Sequence, residues 1–267
     1  MLDIKKELAD IASAYVERPR AGLSSMLIYS TPGAGKTTLL ATAPAPVFIY
    51  QFDPDGCESV EDYILGTNGK PKLIYPKDFS VENPMKPTMF KAFAADLRNR
   101  KENKFFDYMG TVVIDSITTL AGYVMNWILT QGKKGSHVGE PPEIQEWGLQ
   151  IIKVRDIIYE LLTLPCHIIV TGHEGTDQDD LLKIFIGSVA ITKGIRIAMP
   201  VLFSEMYRLK VKATSKGFER SLITSNDGIW VAKTRMGHDG KLGKEIPPNI
   251  KEALKIVGKS WEDKPLP

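Results

Sequence analysis

The run Ser30-Thr31-Pro32-Gly33-Ala34-Gly35-Lys36-Thr37-Thr38 combines glycines, a lysine and adjacent hydroxyls in a pattern suited to holding a polyphosphate. Glycines let backbone N–H groups turn inward around oxyanions, and a helix starting behind them adds its partial positive end. In this reading Thr31, Pro32, Gly33, Ala34, Gly35, Lys36, Thr37 and Thr38 line the cradle, Lys36 reaches the outer phosphates, and the Thr37 hydroxyl holds Mg²⁺. A second oxygen ligand comes from Asp115, which ends the apolar run Thr111-Val112-Val113-Ile114. The strict loop pattern begins with Gly, and this chain has Ser30 there.

Three further sets of side chains could act on a bound phosphate. Phe52-Asp53-Pro54-Asp55-Gly56 places two carboxylates just past an apolar run, and Asp55 is the candidate to orient or deprotonate an attacking water; the same residues are also ordinary turn formers. His173, in Thr171-Gly172-His173-Glu174, could hydrogen-bond a γ-phosphate and report its presence, whereas His167, inside the preceding apolar run, reads as a structural histidine. Lys233 and Arg235, two apart, would point to the same side of a strand and suit a finger reaching a neighbour's nucleotide.

These residues need a scaffold of strands ending at one edge. Met26–Tyr29, Val47–Tyr50, Thr111–Asp115 and Cys166–Thr171 read as buried strands. Helices are expected over residues 3–17, packed through Ile4, Leu8, Ile11 and Tyr15; over Phe90–Leu97; after Ser116; and after Pro248. The most regular helical stripe, Ile144, Trp147, Ile151, Val154, Ile158 and Leu161, reads as core. Residues 57–86 are broken by glycine and proline and read as irregular or a hairpin. Gly175 to Pro200 reads as a long loop with a short helix, and three later strands, Phe203–Val211, Arg220–Thr224 and Gly228–Thr234, as an antiparallel meander. The expected organisation is an N-terminal helix (1–20), a core (21–257) and a tail (258–267).

A chain of 267 residues suffices for one large core without disulfides or metal, and its two cysteines, Cys57 and Cys166, suit a reducing compartment. No apolar run approaches the roughly 20 residues that span a bilayer, and the first residues carry no apolar signal region, so the expectation is a cytoplasmic protein without membrane partners. Charge is uneven: residues 1–180 hold 18 Lys and Arg against 24 Asp and Glu, residues 181–267 hold 16 against 8. A basic C-terminal third can attract nucleic acid, or simply be a solvated lysine-rich surface. Lys133 and Lys134, in a glycine-rich loop, are open to the same two readings.

In order, Ser-Thr-Pro-Gly-Ala-Gly-Lys-Thr-Thr, Phe-Asp-Pro-Asp-Gly, Val-Val-Ile-Asp-Ser, Val-Thr-Gly-His-Glu and Lys-Thr-Arg-Met-Gly resemble the motifs of RecA-like P-loop ATPases, and more narrowly the phage-encoded nucleotide-binding proteins and single-strand annealing recombinases of that type. The last segment also resembles the Lys-Asn-Arg-Phe-Gly segment of RadA and the paired cations of ring helicases. The resemblance implies an α/β fold with a central, mostly parallel sheet in which the His173 strand lies between the phosphate-loop and Asp115 strands, flanked by helices and followed by an antiparallel C-terminal meander. It implies ATP and Mg²⁺, homo-oligomeric rings or filaments on single-stranded DNA, and the host cytoplasm if the chain is phage-encoded; a single-strand-binding protein is a candidate further partner that the sequence does not reveal. The family's DNA loops would fall near 131–142 and 175–195, which makes Lys133, Lys134, Lys183, Lys193 and Arg196 the DNA-contact candidates. Asp55 stands where the family has Glu, one methylene shorter, so weak hydrolysis is expected beside normal binding. The competing readings are a ring helicase, a helicase loader or a packaging motor, and a nucleotide-binding regulatory module with little turnover.

Overall fold

The computed structural model describes residues 3–131, 136–178, 185–215, 217–237 and 239–266. After α1 (Ile4–Val16) comes the central strand β1 (Ser25–Ser30), then the phosphate loop and the one-turn helix α2 (Lys36–Leu40). β2 (Val47–Gln51), α3 (Glu61–Leu65), β3 (Ile74–Asp78), α4 (Met89–Glu102), β4 (Thr111–Asp115), α5 (Ile117–Leu129), α6 (Ile144–Leu161) and the long strand β5 (His167–Gln178) complete the parallel half. The remainder is β6 (Phe185–Val189), α7 (Lys193–Leu202), β7 (Glu205–Thr214), β8 (Gly217–Ile223), β9 (Lys233–Thr234), β10 (Glu245–Ile246) and α8 (Ile250–Ile256).

The strands join in the order β10-β8-β7-β1-β5-β4-β2-β3, with β6 on β5 and β9 on β7. From β7 to β3 every neighbouring pair is parallel, and β6, β8, β9 and β10 are antiparallel additions. β5 therefore lies between β1 and β4, the order implied by the RecA-like resemblance. A parallel sheet covered on both faces explains the continuous apolar runs: β1, β2 and β4 are buried at every position. One face packs against Phe93 and Leu97 of α4, Leu120 and Val124 of α5, and Val154, Ile158 and Leu161 of α6. The other packs against Leu39 and Leu40 of α2 and Ala253 and Leu254 of α8.

Four expectations need correction. α1 forms, but Ile4, Leu8, Ile11 and Tyr15 are each 60–68 % exposed, so its apolar stripe has no cover among the described residues. The stripe of α6 is core only from Val154 onward; Ile144, in the first turn, is 86 % exposed. Residues 57–86 contain the edge strand β3, parallel to β2, and Pro76 is tolerated there because an edge position has one unpaired side. β5 does not stop at Thr171: it runs on to Gln178 and pairs with β6, replacing the first part of the expected loop with a hairpin. The antiparallel C-terminal strands form the edge of the sheet as expected, joined to it by β7, which is parallel to β1.

The tail after α8 is tied to the ends of the strands opposite the phosphate loop. Asp263 accepts from the Ala45 N–H at 2.6 Å, the Lys264 N–H donates to the Ala45 carbonyl at 2.8 Å, and the Ser260 N–H donates to the Gly22 carbonyl at 3.0 Å. Among the described residues no helix is long and apolar enough to cross a membrane.

Candidate functional site

Parallel strands deliver their C-terminal ends to one edge, and an open α/β sheet places its ligands there. β1 ends at Ser30, β4 at Asp115, and β5 reaches this edge at Thr171 to His173. After Ser30 the chain turns through Gly33 (φ 74°) and Gly35 (φ 98°), left-handed conformations that a side chain would strain. The Ala34 N–H closes this turn on the Thr31 carbonyl at 3.3 Å. Thr31, Pro32, Gly33 and Thr38 face solvent, and Ala34 and Lys36 are buried. Ser30 is not among the residues with positive φ, so serine takes the place of the expected glycine without left-handed strain. It also contributes an acceptor: the Lys36 Nζ lies 3.3 Å from the Ser30 Oγ, 3.5 Å from its carbonyl and 3.3 Å from the Thr31 carbonyl.

Lys36 is 8 % exposed, and no ion pair joins it to a carboxylate among the described residues. Burial depresses its pKa, and the more distant Asp115, Asp53 and Glu174 work against that. A buried ammonium with only neutral oxygens around it is a site for an anion. Next to it the Thr37 Oγ1 donates to the Asp115 Oδ2 at 2.8 Å. Asp115 is 2 % exposed, and its other oxygen accepts from the Thr171 hydroxyl. Burial raises the Asp115 pKa, opposed by the hydrogen bonds from Thr171 and Thr37. A hydroxyl and a carboxylate this close form the all-oxygen set that Mg²⁺ takes, so Thr37 and Asp115 fit such an ion.

Asp53 is at the centre of a network that the sequence reading did not assemble. Its Oδ1 accepts from the Ser116 Oγ at 2.8 Å and from the Thr119 hydroxyl, and its Oδ2 lies 3.0 Å from the His173 Nε2. Burial pushes the Asp53 carboxyl up, but the bonds from His173, Thr119 and Ser116 outweigh it and hold the group below the ordinary carboxylate range. An ionised carboxylate can only accept, so the His173 Nε2 carries the proton that joins them. The backbone N–H of His173 is fixed by the Thr118 Oγ1 at 3.1 Å, and its Nδ1 is buried with no hydrogen-bond partner among the described residues. The Phe52-Asp53-Pro54-Asp55-Gly56 turn was a visible signal for Asp53; Thr118 and Thr119 had none beyond their position in the first turn of α5.

Asp55, the sequence candidate for the water-orienting role, is at the exposed tip of that turn with φ 54°. The turn closes through the Gly56 N–H on the Asp53 carbonyl at 3.2 Å, which turns Asp53 inward and leaves Asp55 outside.

Lys233 and Arg235 lie toward the other end of the sheet. β9 pairs Lys233 with Met206 and Thr234 with Glu205, and Glu205 pairs with Met26 near the start of β1. Lys233 is thus three residues, roughly 10 Å along the strands, short of Ser30. The Lys233 Nζ donates to the Pro200 carbonyl, and the Arg235 Nη2 is 3.4 Å from that of Val201. Burial, then Arg235, depresses the Lys233 pKa. The mount is Glu205, which is fully buried and accepts the N–H groups of Arg235 and Met236, each at 3.0 Å.

Of the DNA-contact candidates, Lys133, Lys134 and Lys183 lie outside the described residues. Lys193 is exposed at the start of α7, and the Arg196 Nη2 pairs with the Asp177 Oδ2 at 2.5 Å.

No curated protein sequence matches this chain. Among solved structures it is similar to the flagellar accessory protein FlaH of Methanocaldococcus jannaschii, at 13 % identity and TM-score 0.44, over 86 % of this chain and 88 % of that one. A KaiC-like protein of Pyrococcus horikoshii OT3 is similar at 16 % identity and TM-score 0.39, over 75 % and 77 %. A type III secretion system ATPase of pathogenic bacteria is similar at 16 % and 0.43, over 72 % of this chain and 55 % of that one. With TM-scores below 0.5, these likenesses carry nothing about function. The AAA domain family is matched over residues 24–236, and the chain, a RecA-like P-loop domain in its strand order and loop, belongs to that family.

Proposed function

We propose that the protein is a Mg²⁺-dependent ATPase that works as a homo-oligomer on single-stranded DNA, in recombination or strand annealing. The observation that carries the ATPase part is the buried, carboxylate-free ammonium of Lys36 beside the 2.8 Å Thr37–Asp115 pair. Lys36 and the inward N–H groups of the loop bind the phosphates; Thr37 and Asp115 hold the ion. Bound Mg²⁺ would supply charge neutralisation at the phosphates. His173, aligned by Asp53 at the tip of β5, is the group that senses the terminal phosphate, and Asp55 orients water from the flanking turn.

Lys233 and Arg235 are held away from the chain's own loop, which supports a role on a neighbouring copy's nucleotide. The DNA part rests on the resemblance and on the basic C-terminal third, 16 Lys and Arg against 8 Asp and Glu over residues 181–267.

The test is nucleotide binding and steady-state hydrolysis by the wild-type chain and by Lys36→Ala, with Mg²⁺ and after chelation. Binding that needs both Lys36 and Mg²⁺ is expected; binding indifferent to Lys36→Ala overturns the reading. Affinity for single-stranded DNA should fall with salt at a log–log slope of about −0.7 per phosphate neutralised. Undetectable DNA binding at low salt, with ATP and Mg²⁺ present, removes the DNA part. The outward Asp55 favours one second reading, a nucleotide-binding module with little turnover, which DNA-stimulated hydrolysis would reject.

A further inference from the structure

The β7–β8 hairpin overshoots the strand that carries the phosphate loop. β1 stops at Ser30, one residue past its Tyr29–Arg208 pairing, whereas β7 continues to Thr214 and returns through β8 from Gly217. At about 3.3 Å per residue the hairpin extends roughly 16 Å past the end of β1, on the side of the loop. Arg220 is on the returning strand opposite Val211, two residues beyond the Leu209–Leu222 pair that lies level with Ser30.

From there the Arg220 Nε donates to the Ala34 carbonyl at 2.8 Å. A Cβ placed on Gly35 would come within 3.2 Å of the same Nε, so the guanidinium lies against the rim of the loop immediately before Lys36. Arginine has five N–H donors in a rigid fork, well matched to an oxyanion. Only Nε is engaged among the described residues, and no carboxylate pairs with Arg220 there. A half-used guanidinium stands beside a buried ammonium that also lacks a counter-ion.

We propose that Arg220 is a second cationic ligand for the phosphate chain of the bound nucleotide, delivered by the chain's own β7–β8 hairpin. This rests on the reading of the loop as a nucleotide site and adds a residue to it. Using its Nε on Ala34 orients the guanidinium and leaves its terminal nitrogens for phosphate oxygens. Contact of this kind is charge-assisted and depends on the number of phosphates presented.

The experiment measures equilibrium binding of ATP, ADP and inorganic pyrophosphate to the wild-type chain, Lys36→Ala, Arg220→Ala, Arg220→Gln and Arg220→Lys, with thermal melting of each free protein as a control on folding. Arg220 is exposed, so the melts should agree. Arg220→Ala and Arg220→Gln are expected to weaken ATP binding about tenfold or more, and Arg220→Lys by distinctly less, because it keeps the charge. The loss should shrink as salt rises. If Arg220→Ala binds ATP like the wild type, or Arg220→Gln restores wild-type affinity, the side chain only props the loop and the proposal falls. If the wild type binds none of the three ligands, or Lys36→Ala binds as well as the wild type, the loop reading itself fails, an outcome distinct from the first.

Discussion

His167 starts β5 and His173 lies at its middle, at the edge that carries the phosphate loop, and His167 offers a pH test with a calculable size. It is 4 % exposed, and its Nδ1 accepts the Ser24 N–H at 3.1 Å, which requires the neutral ring. Burial, followed by the charge of Arg20, lowers its pKa from 6.5 to about 4. Between those values the unfolded chain binds a proton that the folded chain refuses, so stability rises with pH across this window and is lost as pH falls. The full displacement corresponds to about 3 kcal/mol, of which about 2 kcal/mol should appear between pH 7 and pH 5. His167→Asn keeps an acceptor near Nδ1 but removes the titration. Urea unfolding at pH 7 and pH 5 should show the wild type losing about 2 kcal/mol more than the variant on acidification. Nucleotide affinity should be unchanged, because His173 is six residues, roughly 20 Å, along the strand. Parallel stability–pH curves for the two proteins would refute the burial argument.

Other substitutions probe the site and its scaffold. Asp55→Asn should lower steady-state ATP turnover about tenfold or more with binding intact; if Asp55→Asn is silent and Asp53→Asn abolishes turnover, the water-orienting role belongs to Asp53. Arg235→Ala should leave nucleotide binding by the isolated chain unchanged and cut assembled-state turnover by about 10³, and unchanged hydrolysis in the assembled state would exclude the finger. Gly110→Ala would put a Cβ 2.4 Å from the Ala45 carbonyl oxygen, a backbone clash that should cost about 2–4 kcal/mol in chemical denaturation.

Local chemistry was legible in the sequence wherever motif and element coincide. The turn at Gly33 and Gly35, the strand ending in Asp115 and the Ser116 cap, whose side chain accepts the Thr119 N–H, depend on neighbours in the chain. What escaped reading depends on distant partners. Asp53 and Asp55 are indistinguishable as a sequence; a left-handed Asp55 sends one in and the other out, and hydroxyls of Ser116 and Thr119 then hold Asp53. The stripe of α1 has the same spacing whether or not anything covers it, so periodicity predicted packing that the described residues do not supply. Pro76 concealed β3 because proline argues against a central strand and not against an edge. The position of Lys233 and Arg235 follows from the parallel pairing of β7 with β1, which nothing local announces.

That position makes the molecule polar along its strands, with an acceptor at one end and cations toward the other. Copies that share this contact either exchange it as an antiparallel pair or stack head to tail, and a head-to-tail series is heterologous: it closes into a circle or grows as an open helix. If the finger proposed for Lys233 and Arg235 acts across that contact, one terminal subunit of an open helix keeps an unassisted loop, and activity per subunit should climb with polymer length and with protein concentration; a closed circle should show a plateau as soon as it forms.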